Sequence, residues 1–314
     1  MLAGLIFLLA IACNGRPSSE TPADVPLSVE TRLIKHDLGE TEIPIEPQRI
    51  VTLTDAWLLA PALDLGIKPI ATTTYSAVDG IPFRSVKAEQ VEGIERIGDG
   101  HQPNLEKLVA LKPDLILADA NLHQAIYDHL SAIAPTVAFI FYEGDSFKDT
   151  FRQIALVLNK AERAEQLLTQ YQNRIEQFKQ MMGNRLETLK ISYISIYGEL
   201  GTIGTAFTAY EVLSDAGLKL VPVQEKMARL DSVNFSIETL PEHDGDFLFI
   251  EKYPNKEAAS IQKNPLWKQL DVIQSGRYTE ISLERWIGIS ATTANYILDD
   301  LFKYLANNPA LANT

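Results

Sequence analysis

Apolar positions along this chain keep two different spacings, and the places where one gives way to the other mark out its elements. Short apolar runs bounded by Gly, Pro or acidic residues read as buried strands over residues 50–53, 68–72, 115–118 and 136–141, and again over 190–196, 220–223 and 247–251. Between them lie stretches with helical spacing. One follows Thr54-Asp55-Ala56-Trp57 and ends at Leu65-Gly66, and others cover 104–111, 124–132, 209–216, 237–241, 265–269 and 291–305. Strands alternating with helices in this way imply parallel sheets covered on both faces. Ahead of the first parallel strand, residues 29–45 alternate as a β-hairpin with its turn in 38–41, while residues 73–95 lack periodicity and form a long loop suited to a lid or cleft wall.

The longest helical stripe is Phe147, Phe151, Ile154, Leu158, Ala161, Ala164, Leu168, Tyr171, Ile175, Phe178 and Met182. Ser146 can cap its start and Gly183 its end, and Asn159 interrupts it, leaving 160–182 as a straight connector of about 34 Å at 1.5 Å per residue. The resulting organisation is an α/β lobe over 31–145, connecting helices over 146–183, and a second α/β lobe over 184–314. The lobes share a local order of capped short helix, Asp, strand: Asn104 to Leu111 leads to Asp114 and Leu115, and Ser236 to Leu240 leads to Asp246 and Phe247. Glu106 and Glu238 stand at matching places near the starts of the two helices, where a carboxylate complements free N–H groups and the helix dipole.

Residues 1–12 are an uncharged apolar leader too short to span a bilayer, followed by a Ser, Thr, Pro and Glu-rich stretch over 13–30 that reads as a flexible tether. The pattern marks an exported chain. Cys13 is the single cysteine of 314 residues, so no disulfide forms within the chain. The Ala10-Ile11-Ala12-Cys13 junction resembles a lipobox, which implies cleavage before Cys13 and a lipid on its thiol; on the bare pattern an ordinary cleaved leader with an incidental cysteine stays open. Net charge is −13, with 28 Lys and Arg against 41 Asp and Glu, which argues against nucleic acid and against a basic membrane-binding face.

The wording Pro103-Asn104-Leu105-Glu106, then Leu111-Lys112-Pro113-Asp114-Leu115-Ile116, with the spine helix and the closing WIGISATTANYILDDLFKYL, resembles the class III periplasmic substrate-binding proteins. These have two Rossmann-like lobes joined by a single long spine helix, and deliver ferric siderophores, haem or cobalamin to ABC importers. The resemblance implies a lipid-anchored, monomeric protein at the periplasm or cell surface. It would capture a ferric siderophore of citrate or hydroxamate type without chemistry on it and hand it to a permease dimer docked through Glu106 and Glu238. Haem and cobalamin remain alternative ligands. A spine helix bends less than loop hinges, so modest lobe closure is expected.

Ligands of open α/β sheets bind beyond the carboxyl ends of the strands, which here nominates loops 54–57, 75–84, 98–102 and 119–123 of the first lobe and 197–207, 224–229, 252–253 and 283–286 of the second. Within and beside them Trp57, Tyr75, Tyr197, Tyr253 and Trp286 offer flat apolar faces, and Arg84, Arg96, Arg229 and Arg285 offer forked donors to oxygen acceptors. The ligand-binding candidates are Trp57, Tyr75, Arg84, Arg96, Tyr197, Arg229, Tyr253 and Trp286. The glycine-rich 198–204 segment lacks the lysine of a phosphate loop and reads as a cleft-lining turn. His36, His101, His123, His129 and His243 show no metal-ligand spacing, although His101 and His123 can face the cleft together, and no cofactor is expected. No Gly-x-Ser-x-Gly elbow or second cysteine supports an exported hydrolase.

Overall fold

The computed structural model describes residues 30–75, 83–141, 146–196, 199–204, 208–229, 234–252, 256–308 and 311, and only the backbone of 229, 252, 256–258 and 283. The leader, the tether and Cys13 lie outside the described residues, as do Tyr197 and Tyr253. Among the described residues no helix is long and apolar enough to cross a membrane.

The chain opens with a hairpin of β1 (Thr31–His36) and β2 (Gly39–Pro44), turning at Asp37-Leu38. It is pinned to the first lobe where the Ile140 N–H donates to Asp37 Oδ2 at 2.5 Å. The lobe's sheet contains β3 (Ile50–Thr52), β4 (Ala71–Thr74), β5 (Glu95–Asp99), β6 (Gln102–Pro103), β7 (Leu115–Asp119) and β8 (Thr136–Phe139), in the order β6-β5-β4-β3-β7-β8. All neighbouring pairs are parallel except β5 with β6. From β3 the chain builds outward through β4 and β5, then returns to the other side of β3 for β7, so the order reverses between β3 and β7. β4 lies later than the 68–72 expected from sequence, because Pro69 has no N–H for a ladder.

The second sheet holds β9 (Lys190–Ile196), β10 (Leu200–Gly201), β11 (Lys219–Leu220), β12 (Asn234–Phe235), β13 (Phe247–Lys252) and β14 (Tyr278–Ile281), in the order β12-β10-β9-β13-β14 with β11 also paired to β9. The expected strand over 220–223 is cut short. Pro222 starts the helix Pro222–Arg229, its fixed φ suiting a first helical turn. Gln224, expected in a cleft loop, is instead fully buried in that helix, where its side chain exchanges hydrogen bonds with both the N–H and the C=O of Tyr193 at 3.0 Å. The glycine-rich segment is likewise not a plain turn, since Leu200-Gly201 forms a short antiparallel strand between β9 and β12.

Between the sheets run the helices Phe147–Val157 and Ala161–Met182, broken where Asn159 adopts a φ of 55°, and the helix Ala291–Leu301 continuing as a wider π turn through Ala306. Strand alternation shows how the layers meet. Leu115 and Leu117 of β7 and Phe247 and Phe249 of β13 join a single core with Phe151, Ile175, Phe178, Ile297 and Leu301. Ile116 and Ala118, and Leu248 and Ile250, face the outer helices of their own lobes. One apolar core therefore runs from the first sheet through the connecting helices into the second.

The Lys-Pro-Asp motif of the first lobe has a mechanical role, and the second lobe repeats its aspartate. Asp114 accepts from the N–H groups of Gln48 and Arg49 at 2.7 and 2.8 Å, and its own N–H donates to Arg49 O at 3.1 Å. Asp246 repeats the pattern on Lys190, accepting its N–H at 2.7 Å and donating back at 2.8 Å. The helix Leu105–Leu111 is held at both ends. Asn104 Oδ1 caps the Lys107 N–H at 2.9 Å while its own N–H donates to Ile97 O at 2.6 Å, and the Arg49 guanidinium reaches Leu111 O at 2.6 Å.

The lobes also meet directly. The Ser85 N–H donates to Glu284 O at 2.6 Å, its hydroxyl bonds Ile287 O, and the Ile289 N–H donates to Ala56 O at 3.1 Å. Gly288 sits in this seam with a φ of 116°, where a Cβ would fall 2.6 Å from Ala56 O. Only glycine accepts both the dihedral and the approach.

Candidate ligand-binding site

A cavity of about 270 Å³ opens at the carboxyl ends of β3, β4, β5 and β7, beside the point where strand order reverses. Its walls are Thr54, Asp55 and Trp57 after β3, Thr73 to Tyr75 at the end of β4, Arg84 from the connection between β4 and β5, Gly100 and His101 after β5, Asp119, Asn121 and Leu122 at and after the end of β7, and Ile287 from the second lobe's closing segment.

At its centre Arg84 and Asp55 form a buried pair, 7% and 1% exposed. Asp55 Oδ1 lies 2.5 Å from Arg84 Nη2, Oδ2 takes the Arg84 N–H at 3.0 Å and Nε at 3.1 Å, and the Ala56 N–H also donates to the carboxylate. The Arg84 guanidinium carbon sits 3.9 Å over the Tyr75 ring. The Nε–Nη2 edge of the guanidinium is thereby engaged by Asp55 and its face by Tyr75, so the cation stands in the cavity wall with its position set from two sides. Trp57, 7% exposed, supplies an apolar face and stacks on Phe141 with centroids 6.2 Å apart.

Beneath the rim, His123 is completely buried. Its Nδ1 accepts the Asp119 N–H at 3.0 Å, so the proton sits on Nε2, which donates to Gly100 O at 2.8 Å. Burial pushes this imidazole below its ordinary pKa and keeps it neutral. It fastens the β5 loop to β7. Asp119 caps the turn Ala120–His123 through the Asn121 and Leu122 N–H groups, and burial raises its carboxyl above the usual range against those bonds. His101 stays on the rim, with Nδ1 3.1 Å from Asp99. The two histidines thus do not act together: one lines the cavity and the other holds its floor. Among the described residues no three His, Cys, Asp or Glu side chains gather as a metal site.

Of the eight candidates from sequence, Trp57, Tyr75 and Arg84 come together on this cavity. Arg96 lies exposed on the edge of the sheet with its guanidinium over the Phe83 ring at 4.8 Å, and is not in the cavity wall. Trp286 is 3% exposed, packed on Tyr193 and Phe249, and its indole N–H donates to Asp300 at 2.8 Å, so it is a core residue of the second lobe and does not line the cavity. The Arg229 side chain, Tyr197 and Tyr253 lie outside the description. Asp55, Thr73 and Ile287 were not singled out from sequence. Asp55 had a signal, being an acidic residue just past a buried strand.

Glu106 and Glu238 are both exposed, each in the first turn of its helix. The helix bearing Glu238, Ile237–His243, is a 3₁₀ rather than an α-helix, and a hydrogen bond from Ser236 holds the Glu238 carboxyl below its ordinary pKa.

Two mostly parallel sheets, one core threaded by a long helix, and a cavity at a strand-order reversal define a bilobal substrate-binding protein of the class III type. The chain belongs to the periplasmic binding protein family, whose model it matches over residues 63–282. It is 31% identical to the probable siderophore-binding lipoprotein YfiY of Bacillus subtilis, over 95% of this chain and 96% of that one. It is 28% identical to the Fe(3+)-citrate-binding protein YfmC of the same organism, over 96% and 97%. Among solved structures, Staphylococcus aureus SirA complexed with staphyloferrin B superposes with a TM-score of 0.75 at 27% identity, covering 88% of this chain and 98% of that one.

Proposed function

We propose that this chain is the extracytoplasmic substrate-binding component of an ABC importer, capturing a ferric siderophore and delivering it to the permease without chemistry on it. The observation that carries the reading is the cavity itself: a cation fixed by Asp55 and Tyr75 beside the Trp57 face, at the strand ends where this fold takes its ligand. The probable siderophore binding of YfiY, the Fe(3+)-citrate binding of YfmC and the staphyloferrin B held by SirA support iron chelates as the cargo class. On this proposal Cys13 carries the lipid that holds the protein as a monomer at the outer face of the membrane, where the 13–30 tether lifts the 31–145 and 184–314 lobes clear of it. Glu106 and Glu238 meet the permease, one from each lobe.

The test is a titration of the chain with ferric citrate, a ferric hydroxamate, a ferric catecholate, haem and cobalamin, followed by tryptophan fluorescence. Trp57 is the reporter, since Trp267 and Trp286 are buried away from the cavity. Saturable submicromolar quenching by one iron chelate, lost in Trp57→Phe, is expected. Binding of haem or cobalamin with silence across the chelates would replace the siderophore assignment. Glu106→Ala with Glu238→Ala should leave that titration unchanged and abolish uptake; intact uptake would remove the docking role.

A further inference from the structure

Two hydroxyls in the cavity wall stand apart from the other threonines of the sheet. Thr54 and Thr73 are 4% and 0% exposed, and among the described residues neither Oγ1 has a hydrogen-bond partner. Their neighbours are satisfied: Thr52 Oγ1 donates to Thr72 Oγ1 at 2.8 Å, and Thr72 Oγ1 donates to Thr73 O at 3.2 Å. Thr52 and Thr72 do not line the cavity, and Thr74, which does, donates to Gly98 O at 3.5 Å, so Thr54 and Thr73 are the cavity threonines left without a partner among the described residues. Native chains seldom leave a buried hydroxyl unpaired, and valine has the same branched shape without the unmet donor. Two threonines kept at such a wall are explained by a partner that arrives from outside.

We propose that Thr54 and Thr73 are ligand anchors, donating to acceptor oxygens on the arm of the chelate that enters the first lobe. A turn about χ1 carries the threonine hydroxyl into the place held by its methyl or its β-hydrogen, which can bring it to the cavity without moving the backbone of β3 or β4. The hydroxyls lie at the ends of neighbouring parallel strands, with Asp55-Arg84 alongside, so the arm is read by two neutral donors next to a charge-balanced pair. The identity of the ligand rests on the siderophore reading; the anchoring role of the hydroxyls is a separate claim.

The experiment uses Thr54→Val, Thr73→Val and the corresponding serine variants, with thermal melts and the fluorescence titration in parallel. Both valine variants should melt at or above the wild-type temperature, because no internal bond is lost. Each should weaken chelate binding, by roughly 2- to 10-fold if the acceptor is a neutral carbonyl such as that of a hydroxamate, and by roughly 10- to 100-fold if it is a carboxylate. Serine should restore the affinity. If the wild-type chain binds none of the chelates, the siderophore reading fails. If it binds one and the valine variants bind it equally, the anchors fail while that reading stands. A melting temperature lowered by both substitutions to valine, restored by serine, would show hydroxyls that serve the fold and would overturn the anchors whatever binds.

Discussion

Replacing Asp55 by alanine removes the acceptor for the Arg84 backbone N–H, Nε and Nη2, with both residues more than nine-tenths buried. A buried cation stripped of its carboxylate costs far more than the pair is worth, on the order of 3–5 kcal/mol. For a chain of 314 residues the unfolding entropy is about 0.7 kcal/mol/K, so the melting temperature should fall by roughly 4–8 °C. Asp55→Ala combined with Arg84→Met should recover most of that loss, since an apolar pair replaces the ions without leaving either charge behind. Ligand binding should not recover, because the fork over Tyr75 is gone. Thermal melts by circular dichroism and the fluorescence titration on the same samples separate the two effects. A double variant as unstable as Asp55→Ala, or an Asp55→Ala chain that melts with the wild type, would refute the view that a buried charge pair is kept here for recognition at the expense of stability.

The seam between lobes should be intolerant of a methyl group: Gly288→Ala should destabilise by about 2–4 kcal/mol in thermal melts, because the new Cβ meets Ala56 O at 2.6 Å at a φ of 116°. His243 is pushed down to about 4 by burial, whereas an unfolded histidine takes its proton near 6.5. Its share of stability is therefore fully present above pH 6.5 and lost as pH falls toward 4, no more than about 2 kcal/mol after solvent screening. His243→Gln should flatten urea-derived stability across that window, and an unchanged slope would assign acid sensitivity elsewhere. Asn104→Ala should cost about 1 kcal/mol through loss of the Lys107 cap, measured by urea unfolding. Small-angle scattering with and without ligand should show only modest compaction, given a core shared by both sheets; a large decrease in radius would contradict it.

Elements whose burial is regular were legible in sequence, and elements at edges were not. The 115–118 and 247–251 runs, the long stripe and its break at Asn159 follow from apolar spacing alone. β5 was missed because Glu95, Arg96 and Gly98 carry no apolar alternation, and β14 because Tyr278-Thr279-Glu280-Ile281 buries only its last residue. The site divides along the same line. Loop positions at strand ends were predictable from topology, which is why Trp57, Tyr75 and Arg84 meet on one cavity. Trp286 has the same chemistry as Trp57, and only long-range packing on Tyr193 and its bond to Asp300 assign it to the core. The partner of Arg84 is 29 positions away in sequence, which no local pattern encodes.

The fastening of the helix Leu105–Leu111 gives its exposed glutamate an unusual property. A surface carboxylate ordinarily wanders with its loop, but here Asn104 and Arg49 tie the two helix ends to the backbone that begins and borders the first sheet, and Asp114 locks the return. Glu106 is thus a benchmark riveted to one sheet, and in the other lobe Asp246 repeats the lock of the return on Lys190. If the two glutamates are what a permease touches, the span between them works as a gauge of the tilt between sheets, and a partner protein can measure occupancy of the cavity without ever reaching the ligand.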